Sequence, residues 1–121
     1  AQYRYPHGRT HWEVPAGRIG AGEEPAVAAR RELFEEAGCT GGELVARPGF
    51  YPLNGISDHF VHVYTLRGCR LGEERALDAS ERIRVAVFAP EAVRALLGSG
   101  RLRDGFSALA LHHHFADARL P

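Results

Sequence analysis

The order of apolar and polar positions along the chain predicts short strands interleaved with helices. Extended or alternating patterns predict strands over residues 2–5, 12–14, 43–46, 60–66 and 84–88. Helical patterns and end signals predict helices over residues 25–37, 90–97 and 104–116, the last with Asp104 as its N-cap. Polar residues between positions 67 and 82 predict a loop. This order of elements indicates a single mixed α/β domain.

The helix predicted over residues 25–37 has two chemically different sides. At about 100° per residue, its acids fall within an arc of roughly 100° on one side. These acids are Glu32, Glu35 and Glu36. Roughly opposite them lie Val27, Leu33, Phe34 and Ala37. We therefore expect one side to pack on a sheet and the other to hold three carboxylates close together.

Two interpretations of these acids compete, a divalent metal site and a solvated acidic surface. Like charges three and four residues apart repel each other on a helix. Mg²⁺ prefers carboxylate oxygens and would offset that repulsion. The bare spacing alone favours the solvated surface, so the residues around the acids must decide.

The segment 17–39 resembles the Nudix box. That pattern is Gly, five residues, Glu, seven residues, Arg-Glu, an aliphatic residue, any residue, Glu-Glu, any residue, Gly and an aliphatic residue. The matching positions are Gly17, Glu23, Arg31, Glu32, Leu33, Glu35, Glu36 and Gly38, and Cys39 replaces the final aliphatic residue. The resemblance implies one Nudix domain over residues 1–121, with a mixed β-sheet sandwiched between helices (α/β/α). It also implies Mg²⁺-dependent hydrolysis of a pyrophosphate bond, with Mn²⁺ as a substitute metal.

The resemblance also assigns roles within the box. Glu32, Glu35 and Glu36 resemble the metal-binding carboxylates, and Glu35 is also expected to act in catalysis. The carbonyl of Ala16 is expected to be a further metal ligand. Gly17 would let the backbone turn closely around the ion. Glu23 and Arg31 are expected to form an internal ion pair rather than to touch the substrate.

Segments outside the box are similar to ADP-ribose pyrophosphatases. These segments are residues 2–6, 12–17, 50–52 and 101–104. In that group the arginine that matches Arg4 contacts substrate phosphates, although a surface ion pair is an alternative for Arg4. Asn54 and His59 stand where the group has a proline and a glutamate. The expected substrate is therefore ADP-ribose or a related nucleotide sugar, cut to a nucleoside monophosphate and a sugar phosphate, and dinucleoside polyphosphates remain open.

The resemblance implies a catalytic base in the loop 71–82. Enzymes of the ADP-ribose group use a glutamate on a mobile loop for this purpose. Glu81 is the first candidate, and the reserves are Glu73, Glu74 and Asp78. An ordinary solvated acid is the alternative at each of these positions.

Composition narrows the classes of partner. The 15 basic and 15 acidic residues cancel, which argues against broad electrostatic capture of nucleic acid. No apolar run approaches the length needed to span a membrane, so we expect a cytoplasmic protein. Cys39 and Cys69 fit no metal spacing and are interpreted as free thiols packed like small apolar residues. The run of histidines at 112–114 points in three directions on a helix, which disfavours a single metal site.

Relatives in the resembled group carry strands ahead of the strand that matches residues 2–5, whereas the given sequence begins at that strand. Either the chain is a fragment, or a partner subunit supplies the missing edge, and we expect a homodimer. The functional alternative is a non-catalytic Nudix-fold module that binds a nucleotide as a sensor. The intact acids argue against that alternative, because such modules often lose them.

Overall fold

The computed structural model describes residues 1–72, 76–77 and 82–116. Within these ranges the α-helices are α1 (Pro25–Ala37), α2 (Pro90–Gly98) and α3 (Gly105–Ala116). The strands are β1 (Gln2–Arg4), β2 (Arg9–His11), β3 (Cys39–Thr40), β4 (Glu43–Phe50), β5 (Val61–Arg67) and β6 (Arg70–Leu71). The described ladders are antiparallel and join β1 to β2, β3 to β6, and β4 to β5. The predicted α/β class is confirmed. None of the described helices is long and apolar enough to cross a membrane.

The β4–β5 hairpin is the longest ladder in the described part of the chain. Its register shifts between Arg47 and Phe50. Pro48, which has no N–H to donate to a ladder, lies in that irregularity. Gly49 lies there too, and a Cβ on it would stand 2.5 Å from the Phe60 ring. Because the register shift accommodates Pro48 and Gly49, β4 continues beyond its predicted end at residue 46. The observed β5 begins and ends one residue later than predicted.

Two predicted strands are wrong. Residues 12–14 form no strand, and the N–H of Val14 donates instead to Ser107 Oγ of α3 at 2.9 Å. Residues 84–88 also form no strand, and the pairing there is an isolated bridge between Gln2 and Ile83. Conversely, β2, β3 and β6 were not predicted, because segments of two or three residues are too short to show alternation.

Helix α1 has the predicted bounds. Pro25 occupies its first turn, and Gly38 ends it in the left-handed conformation with φ of 66°. The predicted division of its surface is only partly right. Ala37 is buried, but Val27 is 58% exposed. Glu36, one of the three acids expected on the side opposite the sheet, is buried. A carboxylate thus lies in the packed part of the helix surface.

Helix α3 packs on the β4–β5 hairpin. As predicted, Asp104 caps it: Asp104 Oδ2 accepts from the N–H of Ser107 at 2.8 Å and from its hydroxyl at 2.6 Å. His113 Nδ1 lies 2.7 Å from the Pro48 carbonyl, which can only accept, so this nitrogen donates. His114 Nδ1 lies 3.2 Å from Thr65 Oγ1. The contacts of these two histidines attach the helix to the hairpin.

Candidate functional site

The carboxylate of Glu36 joins helix α1 to residues 14–16, which precede the loop 17–24. Glu36 is 8% exposed, and its Oε2 accepts a hydrogen bond of 3.1 Å from the backbone N–H of Ala16. Two of the residues expected to bind metal are therefore adjacent. The N–H of Val14 is meanwhile held by Ser107 of α3. Side chains of two helices thus fix the backbone of residues 14–16 beside the acids of α1.

Arg31 lies at the centre of the remaining acids. Its Nη1 donates to Glu32 Oε1 at 2.8 Å and to Glu35 Oε2 at 2.9 Å. Its Nε and Nη2 donate to the two oxygens of Glu23 at 3.0 and 3.1 Å, so the predicted Glu23–Arg31 ion pair is confirmed. Nη2 also donates to the carbonyl of Arg18 at 2.9 Å. One guanidinium thereby attaches the loop to α1 and holds two of the acids together.

These contacts change the proton affinities of the groups. The hydrogen bonds that Arg31 donates to Glu23 first, and then to Glu32 and Glu35, raise the pKa of Arg31. The pKa of Glu23 is lowered, chiefly by Arg31 and then by the backbone N–H of Gly20, which donates to Glu23 Oε2 at 2.7 Å. Both partners are therefore charged throughout the neutral range, and the loop 17–24 is attached to the helix by a permanent ion pair.

Gly17 lies directly against the Glu32 carboxylate. A Cβ on Gly17 would stand 1.9 Å from Glu32 Cδ and Oε1 and 2.3 Å from Oε2. No side chain larger than hydrogen fits there unless the carboxylate moves. The backbone conformation of Gly17 is not left-handed, so the constraint is the close approach and not the φ angle.

The donor chemistry of this group suits a hard cation, but the side chains do not converge on one point. Within residues 1–72, 76–77 and 82–116, no three His, Cys, Asp or Glu side chains are arranged to hold a metal ion. Glu32 and Glu35 face a cation that the chain itself supplies, whereas Glu36 faces the N–H of Ala16. Carboxylate oxygens that already share a positively charged partner fit Mg²⁺ in ligand type and charge.

Arg4 is paired with Glu13. Its Nε donates to Glu13 Oε1 at 2.9 Å and its Nη2 to Oε2 at 2.5 Å, which is the ion pair that the sequence left open. That contact, followed by more distant charges that include Glu36, raises the pKa of Arg4. The Arg4 side chain is 44% exposed and thus remains accessible to an anionic ligand. Sequence reasoning missed Glu13 as a partner, because an interaction across the β1–β2 turn has no local spacing signal.

A shallow cavity of about 540 Å³ lies in the segment where the sequence departs from the resembled group. Its lining residues are Tyr51, Asn54, Gly55, Ile56, Ser57 and Asp58. Tyr51 and Ile56 are 57% and 85% exposed, and the Tyr51 ring packs edge-on against Phe60 at 4.8 Å between centroids. Of the residues predicted to act in catalysis, Glu81 and its reserves Glu73, Glu74 and Asp78 lie outside the described residues.

Comparison with known proteins places the site in a family. The chain is 37% identical over 113 residues to an ADP-ribose pyrophosphatase of Bacillus subtilis (strain 168), which covers 93% of this chain and 61% of that protein. It is 29% identical over 113 residues to a methanol dehydrogenase activator of Bacillus methanolicus, with the same two shares. Over 70 residues it is 41% identical to an ADP-ribose pyrophosphatase of Mycobacterium tuberculosis (strain ATCC 25618 / H37Rv), covering 57% of this chain and 34% of that protein.

The chain thus spans about three-fifths of the length of the first two relatives. The NUDIX domain family model matches residues 1–108, which include all of α1, the loop before it and the cavity segment. A match of that extent, together with the identity to the Bacillus subtilis protein, establishes that this chain belongs to the NUDIX domain family.

Proposed function

We propose that this chain hydrolyses the pyrophosphate bond of a nucleoside diphosphate derivative, ADP-ribose or a related nucleotide sugar. The products are a nucleoside monophosphate and a sugar phosphate. The observation that carries the proposal is the arrangement of Glu32, Glu35 and Glu36 on α1 beside the backbone of Ala16 and Gly17. The two ADP-ribose pyrophosphatases among the relatives support the choice of substrate.

We propose that Mg²⁺, or Mn²⁺ in its place, binds to Glu32, Glu35, Glu36 and the carbonyl of Ala16. When bound, such an ion neutralises phosphate oxygens and lowers the pKa of an attacking water. The hydrogen bonds from Arg31 use one oxygen of Glu32 and one of Glu35, so each carboxylate keeps a second oxygen for another interaction. Arg31 also donates a hydrogen bond to Glu23, and this contact attaches the loop 17–24 to α1 independently of Glu32 and Glu35.

Other side chains of this chain have proposed roles in binding and proton transfer. Arg4, whose side chain is partly exposed, would bind the substrate phosphates, and Glu13 fixes the plane of its guanidinium through two hydrogen bonds. Glu35 would act in catalysis beside the metal.

Glu81 is the proposed general base, and Glu81→Gln should lower kcat with little effect on metal affinity. An unchanged pH–rate profile in that variant would assign the base to another residue.

The assembly and location of the protein are part of the same proposal. We propose a cytoplasmic homodimer. Light scattering after size-exclusion chromatography measures the mass directly. A mass corresponding to one chain at micromolar concentration contradicts the dimer, and it leaves the proposed chemistry unaffected.

A substrate panel tests the proposed reaction. ADP-ribose, GDP-mannose, UDP-glucose, diadenosine polyphosphates and NADH are incubated with Mg²⁺, with Mn²⁺ and with EDTA, and the products are identified by mass. We expect metal-dependent release of a nucleoside monophosphate, abolished in Glu36→Gln, in which the amide oxygen can still accept from Ala16 and preserve the fold. Binding without turnover on the whole panel would favour the nucleotide-sensor function instead.

A further inference from the structure

An arginine is stacked on the single tryptophan of the chain. The guanidinium carbon of Arg84 lies over the Trp12 ring, 5.3 Å from the ring centroid. Phe88 meets the same indole edge-on, with 4.8 Å between the ring centroids. Trp12 is half-buried, whereas Arg84 is exposed. The indole therefore covers one face of the guanidinium, and the opposite face is accessible to a ligand.

Backbone pairing places Arg84 beside the strand that carries Arg4. The N–H of Arg84 donates to the carbonyl of Ala1 at 3.0 Å. The isolated bridge between Gln2 and Ile83 continues this antiparallel pairing into β1. Since β1 ends at Arg4, the arginine proposed to bind phosphates lies on the segment that Arg84 adjoins.

The sequence position of Trp12 connects it to the same site. Trp12 directly precedes Glu13, whose carboxylate accepts from Arg4. It also lies four residues before Ala16, whose N–H donates to Glu36. A four-residue step spans at most about 14 Å. The stacked pair is thus separated by no more than about that distance along the chain from the residues proposed to bind metal.

The Arg84 guanidinium has no acidic partner within residues 1–72, 76–77 and 82–116. The ion pairs of this part of the chain are made by Arg4 and Arg31. A planar cation that is stacked on one aromatic ring can stack on a second flat ring with its other face. Nucleobases are flat rings of this kind, and arginine planes bind them by stacking. The alternative is a cation–π contact that only stabilises the fold.

We propose that Arg84, stacked on Trp12, binds the nucleobase of the substrate and makes the protein select purine over pyrimidine nucleotides. This role rests on the proposed function, which supplies a nucleotide at the neighbouring acids. Dispersion attraction grows with the number of atoms in contact, so the two rings of a purine bind the guanidinium plane better than one ring does. A stacking surface does not read hydrogen-bonding edges, and adenine and guanine should therefore bind with similar affinity.

Titration of the whole chain with nucleoside monophosphates in the presence of Mg²⁺ tests this role. The fluorescence of Trp12 is the readout, because the chain has one tryptophan. AMP, GMP, UMP and ribose 5-phosphate contain no pyrophosphate bond, so the titration measures binding and not turnover. We expect AMP and GMP to change the fluorescence with similar Kd, UMP to bind at least about fivefold more weakly, and ribose 5-phosphate to leave the fluorescence unchanged.

Two substitutions of Arg84 separate stacking from charge. Arg84→Ala removes both and should weaken AMP binding at least about tenfold. Arg84→Lys keeps the charge but replaces the plane with a compact ammonium group, and should weaken AMP binding nearly as much. Arg94→Ala is the matched control, since the Arg94 guanidinium carbon lies 4.0 Å over the Phe115 ring, and it should bind AMP as the wild type does. Thermal melts of each variant verify folding.

Three results would overturn the proposed role of Arg84. They are equal AMP affinity in the wild type and Arg84→Ala, undiminished affinity in Arg84→Lys, and no AMP binding by the wild type. A contact that only stabilises the fold would lower the melting temperature of Arg84→Ala and leave its Kd unchanged.

Failure of the proposed function gives a different result. A wild-type protein that binds AMP through Arg84 but hydrolyses no substrate keeps the base-binding role and loses the proposed activity. Where ADP-ribose is hydrolysed, Arg84→Ala should raise KM by a larger factor than it lowers kcat, because stacking on the base is present before and during the reaction. A lower kcat at unchanged KM would contradict a role in binding the base.

Discussion

The substitution Gly17→Ala separates the proposed chemistry from the stability of the fold. The new Cβ would stand 1.9 Å from Glu32 Cδ and Oε1, whereas ordinary contact begins at about 3.4 Å. The Glu32 carboxylate must therefore move by roughly 1.5 Å. It can do so because the atoms in the way are the flexible end of a side chain.

The size of the effect follows from that displacement. A misplacement of about 1 Å in a catalytic arrangement can lower a rate by about 100-fold, equivalent to about 2.7 kcal/mol of transition-state stabilisation. Stability should change little, because the φ of Gly17 suits alanine and restricting the unfolded backbone contributes about 0.4–1 kcal/mol in the opposite direction. We therefore expect a loss of about 100-fold in kcat/KM for metal-dependent hydrolysis with a nearly unchanged melting temperature.

The assay compares kcat/KM with Mg²⁺ and the thermal melt for wild type, Gly17→Ala and a control. Gly105→Ala is the control, since a Cβ at Gly105 meets no atom within 4 Å. Its activity and melting temperature should match wild type or improve slightly. If Gly17→Ala keeps activity within about threefold of wild type, the reasoning that the position of the Glu32 carboxylate matters for turnover is refuted.

Three further substitutions test other contacts. Glu23 has a lowered pKa, so its charge contributes stability above about pH 4.5, and this stability is lost as the pH falls through the folded-state pKa. Glu23→Gln should therefore destabilise the protein at pH 7 and by much less at pH 3, as measured by urea melts. A gap that stays constant with pH would contradict this. Asp104→Ala removes the cap of α3 and should cost about 0.5–2 kcal/mol in urea unfolding, whereas Asp104→Asn should retain most of that stability. Gly49→Ala forces a Cβ against the Phe60 ring and the Val61 carbonyl, and should cost about 1–3 kcal/mol; a neutral result would mean that the hairpin yields freely there.

The parts of the fold that were predictable from sequence are those with local signals. The bounds of α1 follow from Pro25 in its first turn and the left-handed Gly38 at its end. The cap by Asp104 and the ion pair between Glu23 and Arg31 likewise follow from residue type and spacing. Asp104 and Ser107 are three positions apart, and Glu23 and Arg31 are eight positions apart.

The parts that were missed depend on contacts between distant segments. Residues 12–14 have the composition of a strand, but Ser107 of α3 receives the N–H of Val14. Glu36 was expected on the side of α1 opposite the packed face, but it is buried, and its carboxylate accepts from the backbone N–H of Ala16. The link that Arg31 makes between Glu32 and Glu35 was also missed, since spacing alone does not show which acids one guanidinium selects.

The central claim is that the acids of α1 bind a divalent cation, and equilibrium binding of Mn²⁺ tests it most directly. Free Mn²⁺ is measured by its electron paramagnetic resonance signal during titration of the wild-type protein, Glu32→Gln and Glu36→Gln, with circular dichroism to verify folding. We predict binding by the wild-type protein and an affinity at least about tenfold weaker in each variant, which corresponds to about 1.4 kcal/mol or more. Equal affinities in all three folded proteins, or no binding by the wild type, would contradict the account.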